Sequence, residues 1–279
     1  MTVIENKTFG EERALYGIKD AQIKGCVFAG EEDGESALKE TGNISVSDCR
    51  FLLRYPFWHA KEFRVENSVF GETARAPFWY CADGEMTGCT LDGVKMLREC
   101  DRTDILGCKI NSPEFGWMCR DIFLSDSDIT SEYFMLRSSR VSLDNVRFKG
   151  KYSFQYTENV SVENCVLDTK DAFWHTKNAV VSDCVIKGEY LGWYSEGLTL
   201  INCKISGTQP LCYCKDLRLI NCTMDDADLA FEYSEVEAEI KGNILSVKNP
   251  LSGHISAGSI GEIISDSAVK KCSCVINVG

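Results

Sequence analysis

Six of the fifteen cysteines in this 279-residue sequence keep a common step. Cys89, Cys108, Cys165, Cys184, Cys203 and Cys222 fall on one grid with a spacing of 19 residues. Ser127 and Val146 fill its vacant points. Cys26, Cys49 and Ser68 extend it toward the N-terminus with steps of 23 and 19, then 21 into Cys89. A constant period near 20 residues over most of a chain implies repeated supersecondary units, each burying its apolar face against the next.

Aligned on that grid point, VSLDNVRF (141–148), VSVENCVL (160–167), VVSDCVI (180–186), LTLINCKI (198–205) and LRLINCTM (217–224) repeat one pattern. Apolar residues two apart precede the grid point, as in Val141 and Leu143 or Leu198 and Leu200. That is the alternation of a strand with one buried face. The residue just before the grid point is Asp48, Asn67, Gly88, Gly107, Asp126, Asn145, Asn164, Asp183, Asn202 or Asn221. These types tolerate a left-handed backbone, so the chain is expected to bend there in every repeat. The grid residue then points inward, and two residues later a larger apolar side chain follows, such as Phe51, Phe70, Leu91 or Ile110.

A second strand is expected about nine residues after the grid point. All five tryptophans, Trp58, Trp79, Trp117, Trp174 and Trp193, share one column there. Small residues occupy the column two positions on: Ala60, Cys81, Cys100, Cys119, Ser138, Thr157, Thr176, Ser195 and Cys214. Between them lies a column that includes Glu99, Arg137, Tyr156, His175, Tyr194 and Tyr213. Charges avoid a core unless paired. On strand alternation, exclusion therefore turns the tryptophan and small-residue columns inward and the Glu/Arg/Tyr/His column outward. Arg98 and Gln155 stand in the tryptophan column and break this rule, as local bulges or as buried polar groups.

The fold class that follows is all-β: a single-stranded right-handed parallel β-helix, a solenoid of about eleven to twelve rungs with a 19-residue repeat. At roughly 4.8 Å per rung it makes a rod about 55 Å long. An α-solenoid fails because the apolar spacing is two. No linker interrupts the repeat, so one domain is expected over 1–279, with a body over about 18–245 and a C-terminal rung and cap over about 246–279. Residues 30–42 lengthen the first step as a loop or short helix.

The formal net charge is −12. Nucleic acid is excluded as a partner, since phosphate binding needs a basic stripe. Anionic polysaccharides meet the same objection. No 18-residue apolar run is present, so no membrane partner is expected. The opening MTVIENKTFGEERALYG carries charges where a signal peptide needs an apolar stretch, which predicts a cytoplasmic location. Most cysteines stand in inward columns where serine, threonine or valine replaces them, the behaviour of small core residues in a reducing compartment.

Two of the three histidines recur in the phrase FWH, at 57–59 and 173–175, six repeats and on the order of 29 Å apart, too far to form a dyad. The column Asp101, Arg120, Glu158, Lys177, Glu196, Lys215 alternates in sign, which suits ion pairs stacked on neighbouring strands. Its catalytic reading takes Glu99, Asp101, Arg120 and Arg137, close to Arg98, as a carboxylate and arginine cluster for acid–base work on a sugar. The candidate ligand-binding residues are His59, Tyr80, Tyr156, His175, Tyr194 and Tyr213, with Phe57, Phe78, Phe154 and Phe173 on the same stripe. An exposed aromatic strip marks a ligand groove or partner surface. The pairs Cys212/Cys214 and Cys272/Cys274 lack the second pair of a zinc site, so no metal is expected. No phosphate loop or nucleophile elbow occurs, and no cofactor is expected.

The phrases RYPFWH (54–59), MLREC (96–100), SPEFGW (112–117), SEYFMLRSS (131–139), KYSFQYTEN (151–159), DAFWHTKN (171–178), GTQPLCYCKDL (207–217) and LINCTM (219–224) resemble an uncharacterised bacterial family. It is a domain-of-unknown-function family placed with the pectate-lyase-like right-handed β-helices, and the likeness covers roughly residues 8–250. The resemblance implies the fold and no activity, so it carries over no catalytic residue. The wider superfamily includes pectate lyases, pectin methylesterases and polygalacturonases, the last of which use clustered aspartates. Here Asp225-Asp226 is the only such pair and is expected at a corner, which departs from that pattern.

Three functions fit. The first is a non-catalytic β-helix that binds a carbohydrate or protein ligand along an outward aromatic and charged face. The second is a lyase- or hydrolase-like carbohydrate enzyme using the central cluster. The third is a structural or oligomerisation module.

Overall fold

The computed structural model describes residues 1–30 and 34–279. The chain divides into two compact units, Met1–Ser142 and Leu143–Gly279. Each is a parallel β-solenoid, and no helix occurs among the described residues.

In the first unit the strands Lys19–Lys24, Gly42–Ser47, Lys61–Glu66, Ala82–Thr87, Asp101–Leu106 and Arg120–Ser125 pair in parallel, each with the next coil. Their burial alternates as the sequence pattern requires. Phe63 and Val65 are inside, while Lys61, Glu62, Arg64 and Glu66 face water. The bend follows at once: φ is 54° at Asp48, 48° at Asn67 and 62° at Gly88. A shorter strand then carries the large apolar residue inward, and Phe28, Phe51 and Phe70 pile face to face with centroids 4.6 Å apart.

The second unit repeats this with Glu158–Glu163, Lys177–Ser182 and Glu196–Ile201 in register, Val162 against Val181 against Leu200. Its turn residues Asn164, Asp183, Asn202 and Asn221 also have φ between 53° and 59°. Their side chains form an exposed ladder: Asn202 Nδ2 donates to Asp183 Oδ1 at 3.0 Å, and Asn221 Nδ2 donates to Asn202 Oδ1 at 2.5 Å. Asparagine and aspartate thus relieve the bend and link neighbouring coils.

The grid cysteines have a more specific role than filling space. After the bend, the N–H of the grid residue is directed into the core, where a side chain of the next coil accepts it. Cys26 N–H goes to Cys49 Sγ (3.3 Å) and Cys49 N–H to Ser68 Oγ (3.1 Å). In the second unit Val146 N–H goes to Cys165 Sγ and Cys165 N–H to Cys184 Sγ, both at 3.3 Å. A buried N–H without a partner is costly. Cysteine and serine supply the acceptor in the volume of a small core residue. All fifteen cysteines are free thiols, thirteen of them buried.

The turns number about fourteen, more than the eleven to twelve expected. The cysteine grid misses coils at both ends. Thr2–Glu5 carries no grid cysteine, and the final strands Glu235–Lys248, Ser252–Ile264 and Val275–Val278 run through without a left-handed asparagine at the bend. Of the expected loop or short helix over 30–42, residues 31–33 lie outside the described residues; 34–41 are a loop with a turn over 37–40. Among the described residues no helix is long and apolar enough to cross a membrane.

Candidate functional site

The segment that holds the tryptophans is a turn in several coils. In two it is a short strand, Phe78–Trp79 and Leu97–Arg98, where the first residue is buried and the second faces outward. In Phe57-Trp58-His59-Ala60 the Ala60 N–H donates to Phe57 O at 3.0 Å. The same bond closes Phe154–Thr157 (3.3 Å), Phe173–Thr176 (3.2 Å), Gly192–Ser195 (3.0 Å) and Phe231–Ser234 (3.0 Å). The first and fourth residues of such a turn point inward, and the two between them project outward. The second of those two is left-handed, with φ 60° at His59, 56° at Tyr156, 52° at His175 and 55° at Tyr194.

Strand alternation does not apply to a turn, and this corrects the facing expected above. Phe57, Phe78, Phe154 and Phe173 are core residues with at most 1% exposure, not members of an outer stripe. The five tryptophans are half-buried on the outer side. Arg98 breaks no rule. It stands in an outward column between the rings of Trp79 (5.2 Å) and Trp117 (5.6 Å), a cation–π arrangement. The small-residue column does point inward. Cys100 N–H donates to Cys119 Sγ at 3.4 Å and Cys119 N–H to Ser138 Oγ at 3.0 Å, a second ladder like that of the grid.

Stacked turns pile their outward rings. In the second unit Tyr156, His175, Tyr194 and Tyr213 form one column, with centroids 4.9, 5.1 and 5.0 Å apart and interplanar angles of 7°, 7° and 22°. Tyr233 continues it at 5.5 Å. Beside it Trp174 and Trp193 stack at 5.7 Å, each indole N–H bonded to a backbone carbonyl, of Tyr190 and Gln209 respectively. Tyr156 and Tyr194 remain about half exposed. At the far end, Lys270 Nζ lies over the rings of Tyr213 (5.7 Å) and Tyr233 (5.2 Å), and the Val269 N–H donates to Tyr233 Oη. That end is covered, so Tyr156, His175 and Tyr194 are the open part. Because each ring face lies against its neighbour, the column presents ring edges and polar tips, one set per coil.

In the first unit His59 and Tyr80 stack at 5.0 Å, but Glu99 follows and ends the aromatic run. Its carboxylate accepts the Trp79 indole N–H at 3.3 Å and pairs with Arg98 at 3.5 Å. Asp101 lies in a separate ladder of ion pairs along the adjoining strands. Arg120 binds it through two bonds, at 3.0 and 2.7 Å, and Arg102 reaches both Asp101 and Asp83. Arg140 pairs with Asp121 in the same way. The Arg120 guanidinium holds the Asp101 carboxyl below the usual carboxylate range. Arg137 is an exposed left-handed corner residue in the column of Tyr80 and Glu99. Glu99 and Asp101 are therefore engaged by different cations on different columns. Asp225 and Asp226, expected at a corner, lie within the strand Leu217–Asp228, where Asp225 Oδ1 accepts the Asn243 N–H. Among the described residues no three His, Cys, Asp or Glu side chains gather as a metal site.

A model of the family described as "Protein of unknown function (DUF3737)" matches residues 2–277. The chain belongs to that family. No curated protein matches this DUF3737 member. Among solved structures it is similar to PfbA, a surface adhesin of Streptococcus pneumoniae, at 9% identity and a TM-score of 0.41, over 78% of this chain and 71% of that one. It is also similar to the tailspike gp49 of Acinetobacter baumannii bacteriophage Fri1, a capsular polysaccharide depolymerase, at 8% identity and a TM-score of 0.45, over 96% and 58%. A tailspike of E. coli bacteriophage HK620, determined with a pentasaccharide, gives 11% identity and a TM-score of 0.45, over 92% and 60%. The DUF3737 chain spans about three fifths of the length of both tailspikes.

Proposed function

We propose that this chain is a binding protein that holds a linear, uncharged saccharide along the open column Tyr156, His175 and Tyr194. The supporting observation is the choice of residue at the left-handed corner. That backbone strains most side chains and is relieved by Gly, Asn or Asp. The bends before the grid cysteines use those three types in every coil. The outer corner in the second unit instead carries Tyr156, His175, Tyr194, Tyr213 and Tyr233, of which the first four stack in register and the first three are open to solvent. Left-handed backbone recurs at other non-glycine positions, the buried Phe154 and Phe173 included. What marks these corners is that their aromatic rings are stacked in one column and, at Tyr156, His175 and Tyr194, open to solvent.

The column offers one set of aromatic C–H edges and hydrogen-bonding tips per coil, at the rise of about 4.8 Å set by strand spacing. An extended sugar chain offers hydroxyls and C–H faces at a comparable repeat. The flanking column Glu158, Lys177, Glu196, Lys215 alternates in sign and selects neither anion nor cation, while the net charge of −12 disfavours a polyanion. A binding reading fits better than hydrolysis. A general acid needs a proton near neutral pH, and the doubly bonded Arg120 keeps Asp101 ionised.

The test is retention on a panel of immobilised neutral and anionic glycans at millimolar ligand density. Retention by at least one neutral linear glycan, reduced about tenfold or more by His175→Asn with Tyr194→Asn, is expected. Failure to bind any saccharide, or binding indifferent to both substitutions, overturns the proposal.

A further inference from the structure

The second unit contains a pair of thiols unlike the other thirteen. Cys272 and Cys274 are the two cysteines that are not buried. They stand two residues apart just before the strand Val275–Val278, and both line one pocket of about 270 Å³ with Pro250, Ile263 and Ile276. Asn249 lines the same pocket. It is 3% exposed, and its carboxamide Oδ1 is buried without a hydrogen-bond donor, although its Nδ2 donates to Asp266 O at 3.1 Å. An amide oxygen shut away from water with no partner is uncommon and calls for a reason. Here it shares a wall with two thiols. Neither thiol belongs to the two interior ladders; the Cys272 Sγ–H points to Asn249 O at 3.4 Å.

The geometry points to a binding site for a single soft, closed-shell cation of low coordination number, of the Cu(I) class, held by the sulfurs of Cys272 and Cys274 in the pocket they share. Thiolate ligands select Cu(I) over hard cations, and two thiolates suffice for it where zinc needs four ligands. Each sulfur releases its proton to solvent as it binds, no electron is transferred, and the complex carries one negative charge. Lys271 is exposed and adjacent to Cys272 in the chain, while burial and Glu237 raise the Cys274 thiol, so the metal has to displace a firmly held proton there.

The experiment uses the full chain under anaerobic conditions. 5,5′-Dithiobis(2-nitrobenzoate) should titrate two thiols of the native protein out of fifteen. Cu(I) presented as its coloured bicinchoninate complex should lose one equivalent to the protein. Cys272→Ser and Cys274→Ser should each weaken that uptake by about a hundredfold or more, since chelation by a second linked ligand is lost. Both variants should unfold at the wild-type denaturant midpoint, because both residues are partly exposed. Uptake unchanged in the double serine variant would place the copper on other thiols and overturn the assignment. Two reactive native thiols with no copper uptake would overturn it as well.

Discussion

The backbone N–H of Cys89 points at the sulfur of Cys108 in the next coil, 3.4 Å away, and the Cys108 N–H in turn meets Ser127 Oγ at 3.0 Å. The grid is thus a line of hydrogen bonds through a dry interior. Cys108→Ala leaves the Cys89 N–H unpaired and should cost about 1–3 kcal/mol. Cys108→Ser keeps the acceptor and should stay within about 1 kcal/mol of wild type. Urea midpoints at unchanged m separate the two. Equal losses for alanine and serine would reduce the ladder to packing alone.

The same burial makes the protein sensitive to base. Desolvation pushes the thiols of Cys214 and Cys49 up from 9.0 to about 11. The unfolded chain therefore releases these protons first. Their contribution is complete below about pH 9 and is lost as pH rises toward 11. For the fully buried Cys214 a rise of two units corresponds to about 2–3 kcal/mol. Unfolding midpoints should fall steeply between pH 9 and 11, and less steeply for Cys214→Ser. A flat profile over that range would contradict the sign.

The period, the parallel strands and the bends at Asp48 through Asn221 could all be read from the sequence, because each depends on a rule that holds within one repeat. Facing in the tryptophan segment could not. In Phe173-Trp174-His175-Thr176 both Phe173 (φ 60°) and His175 (φ 52°) are left-handed, and neither side chain advertises that conformation as glycine does. Charge avoidance alone places the histidine column outside, as found, but on strand alternation it also turns Trp174 inward with Cys and Ser, whereas Trp174 is half-buried on the outer side. One signal was available: Arg98 and Gln155 share the tryptophan column, and a column that admits arginine is not a core column.

Gly84 faces Phe63 of the preceding coil so closely that a Cβ there would lie 2.2 Å from the Phe63 ring. The Phe63 ring fills the space that other coils give to a side chain at this position. Gly84→Ala should cost at least about 1–3 kcal/mol through overpacking. In a Phe63→Leu background the cost should shrink, giving a coupling of about 1 kcal/mol or more in a double-mutant cycle. Additive losses would mean the two residues do not compete for one space.

Asp101 is expected to act in stability, and only slightly. Its bonds to Arg120 lie on a largely exposed face, so Asp101→Asn should cost less than about 1 kcal/mol and the difference should fade in about 1 M salt. With its carboxyl held below the ordinary range, the pair stabilises above the unfolded carboxylate value and loses this as pH falls through the folded one. A loss that persists at high salt would argue against a screened surface pair.

The stacked corner residues make the sharpest distinction between a structural and a binding role. Tyr194 stacks on His175 at 5.1 Å and Tyr213 at 5.0 Å while holding φ at 55°. Tyr194→Asn removes both ring contacts but places at that corner a residue that adopts the left-handed conformation readily. The lost stacking, about 0.5–1.5 kcal/mol per pair, is opposed by relief of roughly 1–2 kcal/mol of backbone strain. The thermal midpoint should therefore move by only a few degrees in either direction. The near-ultraviolet circular dichroism of the aromatic column should change at the same time, and saccharide retention should fall. If Tyr194→Asn instead unfolds the protein, the column is a structural spine, and its exposure has no bearing on binding.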